Sequence, residues 1–119
     1  MLRLLHASRH SARAFGRLIR SEAAFQQEMA LLLAALPAAW LLAETWYEYA
    51  VLIGAVVFLI LVEVLNTAVE ATCDAISREF RPEIQLAKDC GSLAVAFAIM
   101  LAGGVWIFFA LEWWRGAPV

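Results

Sequence analysis

The 119-residue sequence predicts an all-α membrane protein, with an N-terminal amphipathic surface helix followed by three transmembrane helices. Three observations predict it. The chain is 64% hydrophobic, with a mean hydropathy of +0.76, well above the roughly 45–50% apolar content of a soluble domain. Met29 to Ala43, Tyr49 to Val62 and Gly91 to Leu111 carry no charge, as membrane spans do. The first 21 residues hold five Arg and no acid, the mark of a helix lying on an anionic surface. The length accommodates about three spans of ~20 residues and little else. A separate soluble catalytic domain is therefore excluded, and any chemistry must be built at the membrane. The expected organisation is one membrane domain over 1–119, with a surface helix at about 1–21 and spans at about 29–47, 49–72 and 91–112. The net charge of −2 is uninformative, and no nucleic-acid partner is expected.

On a helix over 1–21, Arg3, His6, Arg9, His10, Arg13, Arg17 and Arg20 project within about a third of the circumference, with Leu4, Phe15, Leu18 and Ile19 on the other side. That face suits headgroups or phosphates. A transit peptide remains an alternative, but the Arg spacing interrupts the apolar core of a signal peptide, and His6 with His10 alone makes no metal site. Glu22 to Glu28, reading EAAFQQE, joins this helix to the first span. Taken alone, it reads as a solvated helix end. Trp46 and Tyr47 would anchor the end of the first span at an interface, and Pro37 inside it introduces the possibility of a kink. Glu44 to Glu48 leaves only a short turn, so spans one and two form a hairpin. The charged segment 73–90, broken by Pro82, reads as a helix end plus a surface loop. Gly91 onward forms the third span, closed by Trp113 and Trp114. Basic residues sit at the N-terminus and in the 73–90 segment, which places both on the cytoplasmic side of a multi-pass membrane protein. Cys73 and Cys90 lack metal-site spacing and read as small packing residues.

One stretch departs from an ordinary span. Within EVLNTAVEATCD at 63–74, Glu63, Asn66, Thr67, Glu70 and Asp74 fall on one narrow helical stripe. A charge deep in a bilayer costs several kcal/mol, about 2.5–3.5 on insertion scales, so such residues face a protein interior or a wet cavity and mark function. Glu70 and Asp74 lie near the water boundary, and Glu63 sits about 10 Å deeper at 1.5 Å per residue. Carboxylates near the surface suit Mg²⁺ shared with substrate phosphates. A carboxylate in lower dielectric accepts a proton more readily and suits a general base towards a hydroxyl presented from the lipid. Lys88, beside Asp89, offers the positive charge that phosphoryl transfer requires.

EAAFQQE at 22–28, the E-x-x-N-[ST]-A-[IV]-E-x-x-x-D pattern at 63–74 and AKDCGS at 87–92 together resemble the bacterial integral-membrane diacylglycerol kinase family (prokaryotic diacylglycerol/undecaprenol kinase), in order and over nearly the whole chain. The resemblance implies a homotrimer of three-span protomers that transfers the ATP γ-phosphate to diacylglycerol, giving phosphatidic acid. It implies Glu63 as catalytic base and Glu22 with Glu70 as ligands of the Mg²⁺ on ATP. Arg3, His10, Glu79, Phe80, Arg81, Lys88 and Asp89 would join them around the nucleotide. Ala24, Phe25, Gln26, Gln27, Glu28 and Ser92 would line the lipid-hydroxyl site with Glu63, and Asn66 and Asp74 would support it. Three features depart from the family pattern: Gln26 stands where a basic residue is expected, His10 where an aromatic is usual, and Arg81 with Pro82 in place of a polar loop. A related branch phosphorylates undecaprenol; the EAAF entry is closer to the diacylglycerol branch. From another class, a small proton-coupled exporter would need one buried acid and leaves the stripe and the Lys-Asp pair unexplained. A purely structural membrane subunit explains neither.

Overall fold

A computed structural model describes residues 1–116 as four helices: α1 (Leu2–Ser21), α2 (Ala23–Leu42), α3 (Trp46–Ile76) and α4 (Pro82–Gly116). The last three are each long and apolar enough to cross a membrane. At 1.5 Å per residue the 31 residues of α3 span about 46 Å, well beyond a hydrocarbon core of ~30 Å. Its C-terminal turns, which carry Glu70 and Asp74, therefore have length to reach beyond that core.

The α1–α2 junction is an elbow at a single residue. Glu22 leaves the helical region, with φ −109° and ψ 110°, while its N–H still donates to the Leu18 carbonyl at 2.9 Å. The last carbonyls of a helix lack intrahelical donors, and Gln26 Nε2 meets one of them, Ile19 O, at 2.9 Å. Phe15 packs edge-on against Phe25, with ring centroids 5.4 Å apart, and Leu18 and Ile19 rest on the same core. The apolar side of α1 is thus what docks, and its Arg-bearing face stays exposed.

In the next turn Thr45 caps α3, its Oγ1 accepting from Glu48 N at 3.1 Å. This cap, satisfying an orphan N–H, starts α3 at Trp46. Trp46 and Tyr47, read as the end of the first span, consequently open the second. α2 runs without interruption through Pro37. The connection between α3 and α4 is only residues 77–81. Residues 82–90, expected as surface loop, are helical, because Pro82 takes the first helical position, where its missing N–H costs nothing.

Within the bundle, α4 packs along α3 more extensively than α2 does. Lipid tails are as apolar as leucine, so these helices are held by close packing rather than by water exclusion. Small residues supply it: Ala35, Ala39, Ala55, Ala98 and Ala102 are buried beside Leu52 and Val56. Cys73 is buried as expected, whereas Cys90 is exposed and fills no core position. Two polar bonds pin this packing, Trp106 Nε1 to Leu52 O at 3.0 Å and Tyr49 Oη to Leu36 O at 3.1 Å.

Candidate active site

At the elbow end of the bundle, the first turn of α2 meets the middle of α3. Glu22, Ala24, Phe25, Glu28, Glu63, Val64 and Thr67 line one small cleft there. Its volume of about 10 Å³ holds a single water or hydroxyl. Glu63 and Glu28 are half-buried, and Glu22 is exposed at the rim. Glu28 Oε1 is shielded from solvent and makes no hydrogen bond. A buried carboxylate oxygen without a donor is costly unless a ligand or proton meets it. Thr67 supplies no such donor, because its hydroxyl bonds to its own helix at Glu63 O, 3.0 Å away.

Asn66 and Asp74 of the same stripe meet α4. The Asn66 amide oxygen is also buried and unbonded, and it lies against Gly91, where a Cβ would collide with it. Gly91 is therefore what leaves room for the Asn66 amide in the α3–α4 seam. The sequence reading assigned it no role; its signal was a Gly inside a helical pattern, which usually has a packing reason. One level further out, Lys88 Nζ bonds to Asp74 Oδ1 at 2.9 Å. Among the described residues this is the only ion pair.

The predicted site residues do not gather in one place. Glu22, Ala24, Glu28 and Glu63 converge on the cleft, and Asn66, Asp74 and Lys88 share the α3–α4 seam. Phe25 lines the cleft from a buried core position, and Gln26 is engaged with the elbow carbonyl. Glu70, Asp89 and Ser92 are exposed, as are Gln27, Glu79, Phe80 and Arg81. Arg3 and His10 lie on exposed parts of α1, roughly 28 and 18 Å along its axis from Glu22 at 1.5 Å per residue.

Among the described residues, no three His, Cys, Asp or Glu side chains are gathered as a metal-binding group. The donors nevertheless suit one hard cation. Mg²⁺ keeps several waters and takes only one or two carboxylates alongside phosphates, and Glu22 and Glu70 are solvent-exposed oxygen donors of that kind.

Half-buried carboxylates line a confined cleft, and a lysine lies at the neighbouring helix seam. Residues 9–110 match the family described as "Prokaryotic diacylglycerol kinase". The chain belongs to this family. It is similar to the diacylglycerol kinase of Pseudomonas aeruginosa, 38% identical over 104 residues that cover 87% of this chain and 85% of the relative. The diacylglycerol kinase of Escherichia coli K12 is 42% identical over 87 residues, covering 72% of this chain and 70% of the relative. That of Haemophilus influenzae is 32% identical over 103 residues, covering 87% of each chain. As a diacylglycerol kinase family member, the chain is a multi-pass membrane enzyme, an ATP-dependent lipid kinase using a divalent metal with its nucleotide.

Proposed function

We propose that the chain transfers the γ-phosphate of Mg-ATP to the free hydroxyl of diacylglycerol, releasing phosphatidic acid and ADP. The observation that carries this reading is the cleft where Glu63, inside a membrane-spanning helix, meets Glu22 and Glu28 in a space the size of one hydroxyl. In the reaction the lipid hydroxyl oxygen forms a bond to the γ-phosphorus, the bond from that phosphorus to the β–γ bridging oxygen breaks, and the hydroxyl proton passes to Glu63. Glu28, beside Glu63 with an unbonded oxygen, orients the hydroxyl. Glu22 and Glu70 would hold the Mg²⁺ that neutralises charge on the phosphates. Lys88, held on the seam by Asp74, supplies a cation for the transferring phosphoryl group, and the exposed 79–81 connection with Asp89 borders the nucleotide.

The proposal extends to assembly and orientation. Glu70 lies two turns from Glu63 on the same helix and outside the cleft that Glu22 lines; a homotrimer would complete the site from a neighbouring copy, with Arg3 and His10 reaching a nucleotide there. Each copy is one membrane domain in the inner membrane. Its N-terminus and residue 80 face the cytoplasm, and residue 46 faces the opposite side. The expected C-terminal side rests on residues 117–119, outside the described residues.

The test is Mg-dependent ATP consumption by purified protein on adding dioleoylglycerol, with undecaprenol in a parallel arm. Stimulation by dioleoylglycerol alone, with phosphatidic acid formed, is the expected result. Stimulation by undecaprenol alone, or by neither lipid, contradicts the reading.

A further inference from the structure

A second recess lies at the far end of α2, about 30 Å along its axis from Glu22. Trp40 from α2 and Trp46 and Tyr49 from α3 meet there, with ring centroids 5.3, 6.0 and 6.0 Å apart and interplanar angles of 64°, 79° and 81°. The rings pack edge to face and together line one side of a recess. With Ala43, Glu44 and Thr45 they enclose about 310 Å³. Trp40 and Trp46 are 61% and 72% exposed, so packing leaves much of their faces open.

The polar groups here are unequal. Glu48 is committed, its Oε1 accepting from Glu44 N at 3.2 Å, and the Thr45 hydroxyl accepts from Glu48 N. The exposed Glu44 carboxylate has neither a hydrogen bond nor an ion pair among the described residues; no basic residue lines the recess itself, although Arg115 lines an adjoining pocket with Glu44. A negative charge beside several electron-rich ring faces is the environment that attracts an organic ammonium ion. Membrane-interface anchoring accounts for the two tryptophans but not for the free carboxylate among them. An apolar groove of about 480 Å³ adjoins the recess, lined by Leu36, Pro37 and Leu41 and sharing Trp40 and Tyr49 with it. Tyr49 is fixed at this junction by its bond to Leu36 O. A cation-binding recess running into an apolar groove matches an amphiphile with an ammonium head and an acyl chain. We propose that this end of the bundle is a binding site for a membrane phospholipid with an alkylammonium headgroup, separate from the carboxylate cleft.

The full chain in nanodiscs containing equal dioleoylphosphatidylcholine and dioleoylphosphatidylglycerol, released into native mass spectrometry, tests it. These lipids share their chains and differ in the ammonium group. The choline lipid should be retained by about 10-fold or more over the glycerol lipid at one site per chain, the scale of a desolvated cation–π contact. Glu44→Gln and Trp46→Leu should each bring the ratio towards one, while Trp46→Phe, which keeps a ring face, should retain most of the preference. Lipid kinase activity of Glu44→Gln should stay at the unsubstituted level, so this site can fail without the kinase reading failing. Equal retention of the two lipids, or a preference that survives both Glu44→Gln and Trp46→Leu, overturns the proposal. Should Trp46→Leu not fold, Glu44→Gln decides alone.

Discussion

The two halves of the bundle solve opposite problems. In the half that holds Leu52, Ala55, Ala98 and Ala102, small side chains close the gaps between helices, and the Trp106 indole finds the Leu52 carbonyl. Around Glu28 and Glu63 the packing opens into a cleft, and one buried polar oxygen there and another at Asn66 have no partner. Unbonded polar atoms are most costly where dielectric is low, so the carboxylate half gives up stability that the other half supplies. The difference teaches where substitutions should damage chemistry and where they should damage folding.

The largest effect is expected on the carboxylate side. Glu63→Gln keeps shape and removes the proton acceptor, so kcat should fall by about 10²- to 10⁴-fold, the range for lost general-base catalysis, while the melting temperature stays level or rises as a buried charge is removed. A loose transition state that depends chiefly on positioning and electrostatics would shrink the loss. Gly91→Val comes next. Its side chain would strike the Asn66 amide, and overpacking of this kind costs about 1–3 kcal/mol. Thermal unfolding of the assembled protein measures it, and activity should fall with it because α4 carries Lys88.

Across the molecule the effects are smaller and spare chemistry. Trp106→Phe deletes the bond to Leu52 O, and interhelical bonds in membranes average ~0.6 kcal/mol; unfolding in mild denaturing detergent should show that loss with kcat unchanged. Gly54→Ala is the smallest. A Cβ at Gly54 meets nothing within 4 Å, so the same unfolding assay should show no loss, or a gain below about 1 kcal/mol from helix propensity. A large loss at Gly54 would place another helix against that face, and cross-linking would identify whether it belongs to a second copy.

Much of this division was legible in the residues. Helical spacing alone aligned Glu63, Asn66, Thr67, Glu70 and Asp74, and apolar runs revealed three spans. Boundaries were harder to read, because a capping Thr45 and a Pro82 at a first helical position act through local geometry that hydropathy does not register. Gln26 read as a departure from the family pattern; its bond to Ile19 O depends on an elbow that appears only when α1 and α2 are folded together. Glu28 was ambiguous for the same reason. Its meaning comes from proximity to Glu63, thirty-five positions away in sequence. The aromatic recess around Glu44 was invisible, since Trp40 sits on a different helix from Trp46 and Tyr49.

On the proposed reading the carboxylate half divides its labour, with Glu63 taking a proton and Glu70 holding the metal of the nucleotide. Mg-ATP binding and single-turnover phosphoryl transfer, measured on Glu63→Gln and Glu70→Gln with oligomer content checked first, test this most directly. Glu63→Gln should bind Mg-ATP as the native protein does and turn over slowly, whereas Glu70→Gln should lose apparent affinity for both metal and nucleotide. Loss of nucleotide binding in Glu63→Gln with full binding in Glu70→Gln would overturn that division of roles.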